Sequence, residues 1–257
     1  MKDKIIENLQ EIETQENVVA FYACESGSRA WGFLSVDSDY DVRFLYIHPT
    51  DWYLSIIERQ DVIEQPLKDR LDVNGWDLKK ALVLFRKSNP PLLEWLNSPI
   101  VYQEKYTIAA QLRELSKTYY SPSACIHHYL HMAQGNVREY LKGEQVWLKK
   151  YFYVLRPLLA IKWIEEGYGV APTSFEALME RIIPDGALKD AIKVLILEKS
   201  MGVELDYGDR IPVISDFIET ELARLEEDSK QYVNNPPPVE ILNELFRHTL
   251  HEIWKQG

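Results

Sequence analysis

Apolar side chains recur at helical spacing near the start of the chain, where Ile5, Ile6, Leu9 and Ile12 form one stripe and predict a helix over 3–15. The period then changes. Val18-Val19-Ala20-Phe21-Tyr22-Ala23-Cys24 is a short, β-rich apolar run that ends at Glu25-Ser26-Gly27, the pattern of a buried strand closed by a turn. A second strand is predicted over 41–47 (DVRFLYI) after the polar turn at 35–38, followed by a short helix over 51–57. A third strand is predicted over 70–76, beyond the irregular segment around Pro66. Asp77 then stands where its carboxylate can accept the free amides of the helix LKKALVLFRK, which Asn89-Pro90-Pro91 stops.

Beyond Val101 nearly every apolar pattern has helical period, with helices predicted at 91–97, 105–118, 123–142, 147–166, 174–182, 186–200, 212–231 and 238–255. The run Asn234-Asn235-Pro236-Pro237-Pro238 reads as a hinge before the last helix. The expected fold class is α+β: a small mixed β-sheet with flanking helices over 1–100, then an all-helical part over 101–257 that completes a cleft.

Composition narrows the class. The 257 residues are 46% hydrophobic and 27% charged, enough apolar material for a core and against disorder. Cys24 and Cys125 lie far apart without metal-ligand spacing, which predicts neither a disulfide framework nor a structural zinc and suggests a reducing, cytoplasmic setting. No apolar run is long enough for a membrane span, and MKDKIIENLQEIETQ has no apolar core of a secretion signal. The formal charge of −11 disfavours an extended polyanion groove. It is uneven, however. Residues 203–257 carry 12 acidic and 5 basic side chains, whereas 138–163 carry 6 basic and 2 acidic, so a compact anion site near mid-chain is expected.

The chemistry concentrates in Gly27-Ser28-Arg29-Ala30-Trp31-Gly32 and, after a spacer, Ser38-Asp39-Tyr40-Asp41-Val42. Residues two apart on a strand leave the same face, so Asp39 and Asp41 can share divalent cations. Paired carboxylates repel unless a cation lies between them, and hard oxygen donors suit Mg²⁺. Gly27-Ser28, where a strand turns into a short helix, can offer backbone amides and a hydroxyl to phosphate oxygens. Together these pieces describe a polyphosphate and metal site.

The arrangement resembles the nucleotidyltransferase superfamily of polymerase-beta type, whose signature is Gly-Ser, a spacer of about ten residues, Asp-x-Asp, and a third carboxylate on a later strand. Ten residues separate Ser28 from Asp39. The blocks GSRAWG, SDYDVRF, LDVNGWDLKKAL and NPPLLEWLNSPIVY are similar to those of a branch of nucleotidyltransferases associated with RNA repair, a likeness that covers residues 18–102 well and the remainder loosely. The third carboxylate lies among Asp72, Asp77, Asp69 and Asp37; the resemblance implies Asp72, four residues before Trp76, while Asp77 suits a helix cap and Asp37 a turn.

The leading reading is a metal-dependent enzyme that moves a nucleoside monophosphate from a nucleoside triphosphate, ATP included, to an acceptor hydroxyl and releases pyrophosphate. Asp39 and Asp41 would hold two Mg²⁺ ions, Asp72 would help hold the ion that activates the acceptor, and Gly27, Ser28 and Arg29 would grip phosphates. The predicted helix over 147–166 carries Lys149, Tyr153 and Arg156 at i, i+4 and i+7, a stripe able to hold a triphosphate and stack a base; Pro157 could kink it toward a cleft. The acceptor is RNA or, favoured by acidity, a protein or small molecule; a non-catalytic nucleotide sensor is a further alternative. His127 and His131 have zinc-compatible spacing, but HHYLH lacks the companion ligands, and a structural role is expected.

Overall fold

The computed structural model describes residues 1–33, 38–202, 205–228 and 237–254. In chain order the elements are α1 (Lys2–Glu16), β1 (Val19–Glu25), α2 (Gly27–Trp31), β2 (Tyr40–Ile47), α3 (Thr50–Tyr53), β3 (Val62–Glu64), β4 (Leu71–Asp77), α4 (Leu78–Arg86), α5 (Pro90–Leu96) and β5 (Val101–Glu104). There follow α6 (Ile108–Tyr119), α7 (Pro122–Tyr140), β6 (Gln145–Trp147), α8 (Lys150–Glu165), α9 (Phe175–Ile182), α10 (Ala187–Ser200), β7 (Tyr207–Asp209), α11 (Pro212–Asp228) and α12 (Glu240–Ile253). Among the described residues no helix is long and apolar enough to cross a membrane.

The chain divides into two compact units. The first comprises residues 1–30, 39–120 and 236–257, the second residues 31–38 and 121–235. The boundary expected at residue 100 falls instead inside the first unit, because β5 pairs with β1 and α12 returns to the sheet-bearing part.

The first unit is built on a five-stranded sheet of order β3-β4-β2-β1-β5. β2 and β4 run parallel with Asp41 opposite Asp72, and the other pairs are antiparallel. Alternation sets the two faces. Val42, Phe44 and Tyr46 of β2 join Ala20, Ala23 and Val73 under the apolar stripe of α1, made of Ile5, Leu9 and Ile12. On the other face the ring of Trp76 meets that of Trp95 on α5, centroids 3.9 Å apart, and the Tyr22 hydroxyl donates to the Trp95 carbonyl at 2.6 Å.

Caps explain the helix starts around the sheet. Asp77 accepts from the amide of Lys79 at 2.8 Å and opens α4, and Asn89 accepts from that of Leu92 at 3.1 Å and opens α5, with Pro90 in the first turn where no amide is missed. The Asn89-Pro90-Pro91 run therefore starts a helix as well as ending one. The expected helix over 51–57 is only the single turn α3. The strands β3, β5, β6 and β7 lie where no strand was predicted, since runs of three or four residues carry too little alternation to register.

In the second unit α8 is central. Tyr151, Phe152, Val154, Leu155, Leu158, Leu159 and Ile161 are all buried, so the helix is apolar around its whole circumference and runs unbroken through Pro157. Phe33, just past α2, stacks on Phe152 at 4.5 Å and meets Phe175 edge-on at 5.3 Å, which anchors its segment to this unit. β6 and β7 form a separate two-stranded ribbon.

Candidate active site

The site lies in the first unit, at the starts of β2 and β4 and the end of β1. β1 delivers Glu25, a fully buried carboxylate in an otherwise apolar strand. Its Oε1 accepts the amide of Asp41 at 2.7 Å and its Oε2 accepts the Tyr102 hydroxyl. Its backbone carbonyl accepts the Ser98 hydroxyl at 2.6 Å, and the Ser26 amide donates to the Asp41 carbonyl at 2.8 Å. The turn that carries Gly27 and Ser28 is thereby tied to the start of β2 by side chain and backbone together. Burial raises the Glu25 carboxyl above the ordinary range, while the bonds from Tyr102 and the Asp41 amide oppose the shift.

Gly27 meets two demands at once. Its φ of +58° lies in the left-handed region, and a Cβ there would fall 2.0 Å from Oδ2 of Asp41. The Asp41 carboxylate is thus packed directly on the Gly27 backbone, and no other residue type leaves it that space.

Asp41 and Asp72 face each other across the parallel β2/β4 pair. Arg43, two residues after Asp41 and on the same face, lies between them: its Nη2 is 3.4 Å from Asp41 Oδ1 and 2.8 Å from Asp72 Oδ2. Its Nη1 donates to the carbonyls of Val42 and Asp72, each at 3.1 Å. Burial is the largest influence on the Asp41 carboxyl and raises it; Arg43 holds it back, and the neighbouring charges of Asp72 and Asp39 push it up again. Asp39 itself is exposed just before β2, close enough to act on Asp41 electrostatically. Its carbonyl accepts from Nε of Arg29 at 3.1 Å, and the Arg29 guanidinium lies 3.7 Å over the Tyr40 ring.

The other candidates for a third carboxylate stand elsewhere. Asp77 is buried at the far end of β4, where it caps α4 and accepts the Tyr53 hydroxyl at 2.5 Å, and burial pushes its carboxyl up to about 6. Asp69 precedes β4 with a φ of +51°. Asp37 lies outside the described residues.

Lys149, Tyr153 and Arg156 belong to the second unit and do not share one exposure. Lys149 is exposed, its amide bonded to the Leu205 carbonyl at 3.0 Å. Tyr153 is half-buried, edge-on to Trp31 at 5.3 Å. Arg156 is 2% exposed, its Nη2 3.3 Å from the Pro172 carbonyl and its guanidinium 5.2 Å from the Trp31 ring. The expected continuous stripe is broken because α8 has no polar face, so its seventh position is drawn into the interior.

As a donor set, the oxygens of Asp41 and Asp72, with Asp39 beside them, fit a hard divalent cation such as Mg²⁺. Among the described residues no three His, Cys, Asp or Glu side chains are already arranged as a metal cage. The positive charge between Asp41 and Asp72 comes from Arg43.

The model of the RNA repair pathway DNA polymerase beta family matches residues 1–248. The chain belongs to that family. Membership in this polymerase-beta family agrees with the Gly-Ser and Asp-x-Asp blocks, which lie at one end of the central strands. A Bacillus subtilis (strain 168) protein, "Uncharacterized protein YcgL", is 49% identical over 258 positions, covering 100% of this chain and 99% of its own. The crystal structure of a nucleotidyltransferase-like protein from Exiguobacterium sibiricum 255-15 is similar at 15% identity and a TM-score of 0.32, over 88% of this chain and 78% of its own.

Glu25, Arg43 and Tyr102 were not among the residues singled out from the sequence. Arg43 was legible there, since the period that pairs Asp39 with Asp41 extends to it. Glu25 had a weaker signal, one acid closing an apolar run. The contact of Tyr102 with Glu25 depends on β5, which the sequence pattern does not announce.

Proposed function

We propose that this protein is a metal-dependent nucleotidyltransferase that moves a nucleoside monophosphate from a nucleoside triphosphate to an acceptor hydroxyl, with RNA as acceptor and pyrophosphate as the second product. The observation that carries the reading is the placement of Asp41 opposite Asp72 on parallel strands, with the Asp41 carboxylate seated on Gly27 of the Gly-Ser turn. That juxtaposes an anionic pair with a turn suited to phosphate. RNA follows from the description of the family, not from the charge of the chain.

Asp39, Asp41 and Asp72 would hold Mg²⁺, which when bound offsets charge on the α-phosphate and lowers the pKa of the acceptor hydroxyl. Asp72 takes up the hydroxyl proton, alone or through water, as the acceptor oxygen forms its bond to phosphorus. The bond from the α-phosphorus to the bridging oxygen breaks, and the Ser28 hydroxyl with the amides of its turn binds the leaving pyrophosphate. Glu25 fixes the Asp41 backbone throughout, and Gly27 lets the carboxylate sit close to the phosphates.

The test is incubation with each α-³²P-labelled nucleoside triphosphate, Mg²⁺ and RNA bearing a free 3′ hydroxyl. Label in the RNA that disappears in Asp41→Asn supports the reading. Label in a protein instead would change the acceptor, and equal labelling by the variant would refute the site.

A further inference from the structure

Arg43 occupies the position that a cation would seek, yet it is not free to leave. The two amino groups of its guanidinium have different partners. Nη2 faces the carboxylates of Asp41 and Asp72, whereas Nη1 is held by the backbone carbonyls of Val42 and Asp72. Because those carbonyls belong to the paired strands β2 and β4, the anchor does not depend on the charge state of either carboxylate. The side chain is 18% exposed, against 28% for Asp41 and 41% for Asp72, so the acids present a solvent-facing side while the arginine lies deeper. A guanidinium is permanently charged and planar, which suits a fixed counter-ion better than a lysine would.

We infer that Arg43 is a positioning residue that offsets one of the two negative charges of the Asp41–Asp72 pair in the absence of a divalent ion and, by remaining anchored beside it, keeps the pair's affinity for a free divalent ion low. This rests on the proposed function. The consequence is coupling: the triphosphate contributes the negative charge that Arg43 removes, so the divalent ion binds firmly only together with nucleotide. By linkage, the ion and the nucleotide strengthen each other equally. A unit charge placed a few ångströms from a dication in near-aqueous surroundings changes its affinity about tenfold.

Titration of Mn²⁺, followed by the loss of the free-ion paramagnetic resonance signal, tests this on the full chain as wild type, Arg43→Met and Arg43→Lys, with and without a non-hydrolysable nucleoside triphosphate. Arg43→Met is expected to bind Mn²⁺ about tenfold more tightly than wild type without nucleotide, and to gain correspondingly less from adding it. Arg43→Lys, which keeps the charge but loses the forked anchor, is expected in between. In chelator, Arg43→Met should melt below wild type, and Mn²⁺ should close the gap. Equal Mn²⁺ affinity in wild type and Arg43→Met overturns the role of Arg43 while leaving the proposed function in place. No Mn²⁺ uptake by any of the three, with or without nucleotide, overturns both. If Arg43→Met does not fold, equal affinity and equal nucleotide gain in wild type and Arg43→Lys overturns the role.

Discussion

Replacing Gly27 by Ala isolates the contact on which the site is built. Two penalties add. An alanine at a φ of +58° costs roughly 1–2 kcal/mol, and the new Cβ would stand 2.0 Å from Oδ2 of Asp41, so the carboxylate or the turn has to move. Gly32 supplies the control: its φ is +97°, but a Cβ there meets nothing within 4 Å. Gly32→Ala should therefore show backbone strain alone, about 1–2 kcal/mol, and Gly27→Ala about 1 kcal/mol beyond it. At about 2–4 °C per kcal/mol for a chain of this size, the two should melt a few degrees apart, read by circular dichroism. Transfer of α-³²P label should separate them further, because a catalytic group displaced by about 1 Å can lose about 10²-fold in rate. Coincident melting curves together with wild-type label transfer by Gly27→Ala would refute the packing of Asp41 on Gly27.

Four further outcomes are expected. Asp39→Asn and Asp41→Asn should each abolish label transfer while the far-ultraviolet spectrum stays native. Asp72→Asn should do the same, yet lose only about 0–1 kcal/mol of stability by chemical denaturation, because its ion pair with Arg43 is partly exposed. For Asp77 the folded carboxyl lies at about 6, above its ordinary 3.8, so its protonated form is favoured by folding; stability is full below about pH 4 and falls as pH rises through 6. Relative to Asp77→Asn, which keeps a cap, wild type should lose about 3 kcal/mol across that window in urea titrations at fixed pH. Arg156→Ala should lower the melting temperature of the full chain, consistent with about 2–4 kcal/mol for a large buried side chain, and calorimetric titration with a non-hydrolysable triphosphate should show nucleotide affinity unchanged.

The sheet was legible where strands are long and buried. β1, β2 and β4 each bury alternating or continuous apolar positions, and each begins and ends within a residue or so of its predicted span. The helices were legible for the same reason, through stripes such as Ile5, Leu9 and Ile12. Single sequence positions could not show pairing. That Asp72 rather than Asp77 would face Asp41 depends on the register of two strands separated by an antiparallel excursion through β3, and periodicity is silent about register. The burial of Arg156 was hidden differently: the basic and aromatic residues Lys149, Tyr153 and Arg156 at i, i+4 and i+7 look like an outer face unless the helix is known to be surrounded.

The return of α12 to the first unit has a consequence for synthesis. Leu242, Leu245 and Leu250 of α12 are buried, Phe246 meets Tyr53 edge-on at 5.0 Å, and Arg86 and Tyr119 bond the carbonyls of Pro237 and Pro238. These partners are made before residue 121, but the segment that covers them follows only after residues 121–235 have been translated. At about 5–20 residues per second that interval is of the order of 6–23 s. Throughout it the nascent first unit lacks the cover of α12, whereas the second unit, whose elements are nearly contiguous, can close as soon as residue 235 has left the ribosome. A chain truncated after residue 235 and released from the ribosome should therefore have a second unit that resists protease and a sheet-bearing unit that engages chaperones.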